Sequence, residues 1–157
     1  MALKIVHVED LPPAREVRPQ MRNGRKAAVH IRQIERTEDL TLLRTFYDPG
    51  LVLDRHGHMG HQVIYVIEGD LMVGEFPARE GSTIILEKGT AFGPLRAGEN
   101  GATILEVFIG PGASSPAGAD PEGYKELLAE EGITLLPEPD PTVQPVLDQP
   151  VLDSKEV

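Results

Sequence analysis

Two histidines and a glutamine lie close together near the middle of the chain, and side chains of these types can bind a metal ion. His56 and His58 are separated by one glycine, and Gln62 follows four residues after His58. Residues at even spacing along a β-strand project to one face, so a strand here would direct both imidazoles and the carboxamide to the same side. The three groups could hold a divalent first-row ion (Fe, Mn, Ni, Cu or Zn), with the amide oxygen as the weaker donor.

Two alternatives to this ligand set stay open. His61 could join the set if Gly60 bends the chain, although regular alternation from His58 sends His61 to the opposite face, where it would be a surface or dimer-contact histidine. His56 and His58 could instead hydrogen-bond to each other and to nearby backbone without binding a metal. Without a metal, either imidazole could act as a general base.

The candidate substrate pocket draws on aromatic, sulfur-containing and basic side chains from other segments. Phe46, Phe92 and Met72 could form an apolar wall for an organic ligand, or they could belong to the core. His30 could project into the site from a neighbouring strand, or it could face solvent. Arg96, in the predicted loop GPLRAGEN, could clamp a carboxylate or phosphate, or it could be solvated.

Short β-rich runs divided by glycines are predicted to position these side chains. Twelve of the 16 glycines lie between Gly50 and Gly112, which is typical of an all-β barrel or sandwich. Two earlier segments, KAAVHIRQIER and LTLLRTFYD, predict a hairpin. The later runs are QVIYVIE at 62–68, DLMVGEF at 70–76, STIILE at 82–87 and TILEVFI at 103–109, and Gly69 is predicted to make a tight reversal between the first two of these.

The ends of the chain have a different composition from the centre. Residues 1–24, with three prolines, predict an extended lead-in that could contain one edge strand, and residues 25–112 predict the barrel itself. Residues 113–157 predict a loop, a short helix at YKELLAEEG, and an extended acidic tail with five prolines between 137 and 150. The tail could be disordered, or it could dock on the barrel or on a neighbouring chain.

Composition excludes several classes of protein. The length of 157 residues suits one domain, and without cysteine any metal must be held by imidazole, carboxylate or amide groups. Of the net charge of −10, residues 120–157 carry −8, from ten acidic residues and two lysines, and no basic stripe for nucleic acid is visible. No apolar run approaches a membrane span, and the N-terminus does not resemble a secretory signal, so we expect a cytoplasmic protein.

The segment from Gly50 to Gly69 resembles the first conserved motif of the cupin superfamily. That motif is a glycine, five residues, His-x-His, three or four residues, a glutamate and, six residues later, a glycine. Gly50, His56, His58 and Gly69 match it, and Gln62 occupies the position of the glutamate.

The second cupin motif is a glycine, five residues, Pro-x-Gly, two residues and a histidine ligand. The segment from Gly81 onward aligns with it through Gly89, with Glu87 at the proline position and Phe92 at the histidine position. A phenyl ring cannot replace that ligand.

The resemblance implies a single-domain cupin, an RmlC-like jelly-roll β-barrel, that forms a homodimer. It implies a small-molecule enzyme in which a metal at His56, His58 and Gln62 supports dioxygenase, isomerase, cyclase or lyase chemistry. Three neutral ligands leave the ion its full positive charge, which favours an anionic substrate. The alternative is a metal-free binding module or accessory protein that holds an apolar ligand, and a metal-independent isomerase lies between these two hypotheses.

Overall fold

The computed structural model describes residues 3–140 and consists mainly of antiparallel strands. The elements in chain order are a 3-10 turn at Val8–Asp10, β1 (Arg15–Arg22), β2 (Arg25–Arg36), β3 (Leu40–Tyr47), β4 (Val52–Leu53), β5 (Gly57–His58), β6 (His61–Val73), β7 (Phe76–Arg79), β8 (Thr83–Leu86), β9 (Leu95–Ile109), β10 (Pro116–Ala117), α1 (Pro121–Glu130) and β11 (Ile133–Leu135). The all-β prediction with one short C-terminal helix is confirmed. The predicted tail from residue 141 onward lies outside the described residues.

Within the described residues, nine strands belong to one sheet that curls into a barrel. Its strand order is β11-β1-β2-β3-β9-β6-β7, with β4 pairing with β9 and β8 pairing with β6. The short strands β5 and β10 form a separate pair. Strands β6 and β9 are long enough to pair with several partners along their length, so the sheet bends around them and encloses an interior.

Strands β2 and β3 form the predicted hairpin. Val29 lies opposite Tyr47 near the open end, and Arg36 lies opposite Thr41 near the connection. Because Val29 and Tyr47 are both buried, this hairpin contributes one wall of the interior.

The prediction of a reversal at Gly69 is wrong. Strand β6 continues through Gly69 as far as Val73, and the chain reverses afterwards to pair with β7. Gly69 has φ +78° and marks a shift in the pairing of β6 with β9, and a Cβ there would lie 2.1 Å from the carbonyl oxygen of Gly101. The left-handed backbone of this glycine therefore makes a β-bulge, which bends the strand instead of ending it.

Strand β9 begins earlier than the run TILEVFI indicates. It starts at Leu95, so Arg96 lies in a strand opposite Met72 and Val52 and not in a loop. The polar residues from Glu99 to Asn100 hide this part of the strand from an analysis based on hydrophobic runs.

Both ends of the described chain join the sheet. β1 pairs with β2 across the turn Asn23-Gly24, whose positive φ angles of 50° and 74° suit a tight hairpin, and β11 pairs with the other side of β1. α1 begins after the cap Asp120, whose side chain accepts a hydrogen bond from the backbone of Gly123.

Aliphatic and aromatic side chains fill the barrel next to the interior cavity. The largest cluster includes Leu51, Ile64, Val66 and Ile104, all of them 2% exposed or less. A second cluster joins α1 to β4 through Tyr124, Leu128 and Val52. Among residues 3–140, no helix is both long enough and apolar enough to cross a membrane.

Candidate functional site

His56 and His58 line one cavity of about 240 Å³ inside the barrel. The apolar part of its wall comes from Val17, Val29, Ile31, Leu43, Leu53 and Phe108. The polar part comes from Arg18, Arg36, Thr45, Tyr47, Asp54, Glu106 and Ser114. Two imidazoles in a concave space that also has an apolar wall are typical of a small-molecule site.

The backbone holds the two histidines in place. His56 pairs with Phe92 through two hydrogen bonds, in which the amide of His56 donates over 3.1 Å and the amide of Phe92 donates over 2.8 Å. Gly57, between the histidines, packs so closely that a Cβ would lie 2.6 Å from the carbonyl oxygen of Thr90. The sequence His-Gly-His therefore brings both imidazoles to a place that a larger central residue could not occupy.

A chain of buried hydrogen bonds extends from His58 into the sheet. The Nδ1 atom of His58 lies 2.9 Å from Oε1 of Gln62, and Nε2 of Gln62 donates to Oε1 of Glu106 over 3.2 Å. The hydroxyl of Thr45 donates to the other carboxyl oxygen of Glu106 over 2.6 Å. Because a carbonyl oxygen only accepts, Nδ1 of His58 carries the hydrogen, and Nε2 is the ring nitrogen with the free lone pair.

His56 has the same tautomer for a different reason. Its Nδ1 lies 2.9 Å from the backbone carbonyl oxygen of Asp54 and 3.6 Å from Oδ1 of the same residue. The carbonyl fixes the hydrogen on Nδ1, so Nε2 is again the unprotonated nitrogen. The rings of His56 and His58 meet edge to face with 5.2 Å between their centroids.

Three groups that line the cavity, namely His58, Glu106 and Tyr47, have shifted pKa values. Burial, reinforced by the neighbouring His56, lowers the pKa of His58 to about 4, while the hydrogen bond with Gln62 acts in the opposite direction. Burial raises the pKa of the Glu106 carboxyl, and the hydrogen bond from Thr45 opposes this rise. Burial and the charge of Glu106 together raise the pKa of Tyr47. At neutral pH, His58 is therefore an uncharged imidazole with an available lone pair.

His56 and His58 each offer one ring nitrogen that fits a divalent ion. Imidazole nitrogen suits Fe, Ni, Cu and Zn, and a metal-binding histidine usually donates its other ring N–H to a carbonyl or carboxylate, as His56 and His58 do. Gln62 is fully buried, and both ends of its amide take part in the hydrogen-bond chain. Within residues 3–140, no cluster of three or more His, Asp or Glu side chains is arranged to hold a metal.

His61 and Phe92 belong to the predicted ligand region, and the structure places one at the surface and the other in the core. His61 is exposed and lies on the opposite face of β6 from Gln62, as strict alternation along the strand requires. Phe92 is buried in the main core, with its ring centroid 5.2 Å from that of His56. The phenyl ring therefore packs against His56 as part of the core, and His61 is not brought to the cavity.

Phe92 does not line the cavity of His56 and His58, and neither do the other four predicted pocket residues. Phe46 and Met72 line a separate open cleft on the outside of the barrel. His30 lies between the cavity-lining residues Val29 and Ile31 and so faces the other way, where it bonds to Asp48 over 2.8 Å and stacks on Phe46.

Arg96 is the fourth of these residues. Its guanidinium group donates to the Glu131 carboxylate over 2.7 and 2.9 Å. The ion pair ties β9 to the end of α1, so Arg96 is not a clamp at the barrel opening. The arginines that line the cavity are Arg18 and Arg36, which sequence reasoning did not select.

Glu106 is the most important residue that sequence reasoning missed. It lies in TILEVFI, where it is the single charged residue of an apolar run, and it is 8% exposed. Ile104 and Phe108, two positions away on either side, are buried on the same face. An isolated acid on the inward side of a strand was therefore a usable signal, since buried carboxyl groups require partners.

Comparisons with known proteins agree on architecture. No model of a protein family and no curated protein sequence matches the chain. A putative dioxygenase from Nostoc punctiforme superposes with a TM-score of 0.50 at 19% identity, over 59% of this chain and 32% of that one. A double-stranded β-helix protein from Klebsiella pneumoniae gives 0.49 at 22% identity, over 64% and 89%. An RmlC-like cupin from Shewanella frigidimarina gives 0.45 at 18% identity, over 52% and 75%.

At such identities the likeness concerns the fold and not the activity. The curled antiparallel sheet and the superposition on the Nostoc punctiforme structure agree on this point. The chain folds as an all-β barrel of the jelly-roll type.

Proposed function

We propose that the protein is a small-molecule enzyme that holds a divalent first-row metal ion through Nε2 of His56 and Nε2 of His58. The observation that supports this proposal is that Nδ1 of each ring lies 2.9 Å from a carbonyl oxygen and is hydrogen-bonded to it. The remaining nitrogens have free lone pairs, and both rings line one cavity. Metal-binding imidazoles usually pair their other ring nitrogen in this way.

In this proposal Gln62 supports His58 and is not itself a ligand. Its amide accepts a hydrogen bond from His58 and donates one to Glu106. The buried carboxyl group therefore orients the imidazole ring through the amide. The cupin motif has a glutamate at the position of Gln62. Here the carboxyl group belongs to Glu106 of β9, and the amide of Gln62 lies between this carboxyl group and His58. Glu106 and Gln62 together keep the hydrogen of His58 on Nδ1.

A bound ion supplies Lewis-acid chemistry, which polarises an oxygen atom of a substrate. The protein contributes a cavity with an apolar wall, and hydrogen bonds that hold the imidazoles at fixed orientations. The proposal covers the reaction classes that the cupin resemblance implies, namely dioxygenase, isomerase, cyclase and lyase chemistry.

Elemental analysis of the untagged protein tests this proposal. After exposure to each of the five ions followed by dialysis, we expect the wild type to retain stoichiometric metal and His58→Ala to lose it. The matched control is His61→Ala, because His61 lies three residues away on the exposed face. Wild-type protein without metal would contradict the proposal, and co-purification of an apolar organic ligand would favour the binding module.

Nitrogen NMR of the imidazole rings gives a second test that does not depend on activity. We expect both His56 and His58 to be protonated at Nδ1 near neutral pH in metal-free protein, and their Nε2 signals to shift when metal is added. A hydrogen on Nε2 of His58 would mean that the amide of Gln62 is turned around, and the ligand assignment would then be wrong.

A further inference from the structure

We propose that Arg18 binds the carboxylate group of a small anionic substrate in the cavity of His56 and His58. The description of this ligand as a substrate rests on the proposed function. The binding itself does not require the metal, because it depends on the guanidinium group and the cavity wall. Arg18 lies in β1, where its backbone conformation is unusual.

Arg18 has φ +54°, in the left-handed region that residues with a side chain seldom adopt within a strand. The conformation coincides with a shift in the pairing of β1 with β2 between Val17 and Gln20. Such a bulge redirects a side chain, and strained backbone of this kind concentrates at functional sites. A glycine would adopt this φ without strain, so the presence of arginine calls for a role of its side chain.

The bulge places Arg18 on the cavity wall, where neighbouring groups position the guanidinium group without occupying it. The guanidinium carbon lies 5.8 Å from the centroid of the Tyr124 ring, a cation–π arrangement, and Nη1 lies 3.9 Å from Oδ1 of Asp54. A separation of 3.9 Å exceeds hydrogen-bond length, so Asp54 attracts the guanidinium group without consuming its N–H donors. Tyr124 is itself fixed, because its hydroxyl donates to the carbonyl oxygen of Val52 over 3.0 Å.

Asp54 also connects Arg18 with the imidazole pair. The same Oδ1 atom that lies 3.9 Å from Nη1 of Arg18 lies 3.6 Å from Nδ1 of His56. One buried carboxylate oxygen therefore stands between the guanidinium group and the ring. A ligand held by Arg18 therefore lies on the Nδ1 side of His56, against the wall of the same cavity.

The size and charge of the cavity define the class of ligand. About 240 Å³ is smaller than the usual pocket for a drug-sized compound, so the ligand has few non-hydrogen atoms. The planar fork of a guanidinium group matches both oxygens of a carboxylate, and Arg36 adds a second cationic side chain to the same wall. A small mono- or dicarboxylate meets these requirements.

The test is calorimetric titration of full-length protein, freed of metal on a chelating resin, with oxalate and with succinate. Oxamide and succinamide are the neutral controls of similar size, and inorganic phosphate is the control for other anions. We expect at least one dicarboxylate to bind and both amides to fail. Absence of binding by both dicarboxylates, equal binding of the amides, or preference for phosphate would overturn the proposal.

Three substitutions make the test specific to Arg18. We expect Arg18→Gln and Arg18→Gly to weaken dicarboxylate binding at least ten-fold, and Arg22→Gln, on the same strand but outside the cavity, to leave it unchanged. Since φ +54° suits glycine, relief of backbone strain in Arg18→Gly opposes the loss of the contacts with Asp54 and Tyr124, and the melting temperature of each variant separates loss of binding from unfolding. Undiminished binding by both Arg18 variants would overturn the proposal, whereas a failure of the metal proposal alone would leave these titrations unaffected.

Discussion

The interior cavity and the exterior cleft of this barrel are both concave, but they differ in what they enclose. The exterior cleft is the larger, at about 760 Å³ against about 240 Å³, and it lies along β6, β7 and β9. Its lining includes Phe46, Met72 and several charged side chains but no histidine. The smaller cavity contains both imidazoles and the buried carboxyl group of Glu106. Convergent polar groups away from water, and not volume, indicate where chemistry can occur.

Strand β6 has an inner and an outer face, and its alternating side chains show the difference between interior and exterior positions. Gln62 points inward and is 1% exposed, whereas Tyr65, three residues along the strand, is 43% exposed on the outer face. In the interior, a hydrogen bond is stronger and an unpaired polar group is more costly than at the surface. Substitutions on the two faces should therefore have very different consequences.

The largest effect is expected from Gln62→Leu. This change leaves the N–H of His58 and one oxygen of Glu106 without partners, which should lower the free energy of unfolding by about 1–3 kcal/mol. It should also weaken metal binding by about 10- to 100-fold, as loss of the group that orients a ligand does. Urea denaturation and a competitive metal titration measure the two effects.

The control on the outer face is Tyr65→Leu. Because Tyr65 is exposed on the same strand, its replacement should change stability by no more than about 0.5 kcal/mol and leave metal binding intact. Equal effects of the two substitutions would show that the buried hydrogen-bond chain contributes nothing beyond ordinary strand packing.

A smaller effect, visible as pH dependence, is expected from Glu106→Gln. The folded state raises the pKa of this carboxyl group because it is buried, so the folded protein binds the proton more tightly than the unfolded chain does. The wild type should therefore lose stability as the pH rises from the ordinary carboxyl range through the raised pKa. The glutamine variant carries no ionisable group at this position and lacks that loss.

The measurement is urea denaturation of both proteins from pH 4 to pH 8. We expect the stability of Glu106→Gln relative to wild type to increase with pH and then to level off. The other acidic residues contribute equally to both proteins and cancel in the difference. A difference that stays constant across this range would mean that Glu106 ionises in the folded protein as it does in the unfolded chain.

Much of the fold could be predicted from local patterns. The hairpin of β2 and β3, the strands around Tyr65 and the helix near Leu128 follow from alternation, turn residues and helix propensity, which act over a few neighbouring residues. The opposite orientation of Gln62 and Tyr65 follows from the same alternation. Gly69 was misassigned because a positive φ serves a bulge as well as a turn, and only the partner strand distinguishes them.

The site was less predictable because its contacts join distant parts of the chain. Gln62 meets Glu106 through the pairing of β6 with β9, and Arg18 reaches the cavity through a bulge whose register depends on β2. Arg96 and His30 have residue types suited to a pocket, but their partners Glu131 and Asp48 become visible only after folding. Residue type indicates which chemistry is available, and the pairing of strands decides which groups share a cavity.

The smallest effect is expected from Phe46→Leu. This substitution tests whether the exterior cleft takes part in binding. Phe46 is 36% exposed, stacks on His30 with 6.1 Å between ring centroids, and lines the open cleft. Replacement at such a surface position should change the free energy of unfolding by about 0.5 kcal/mol or less, with unchanged metal and dicarboxylate binding.

The matched interior change is Phe108→Leu, since Phe108 is 2% exposed and its ring meets that of His58 edge to face at 4.9 Å. Loss of this contact frees the imidazole to reorient, so metal binding should weaken even if leucine fills most of the volume. Stability and metal affinity measured for both variants decide between the two surfaces. If Phe46→Leu impaired binding and Phe108→Leu did not, the exterior cleft would be the functional site, because only groups near the bound ligand respond to such conservative changes.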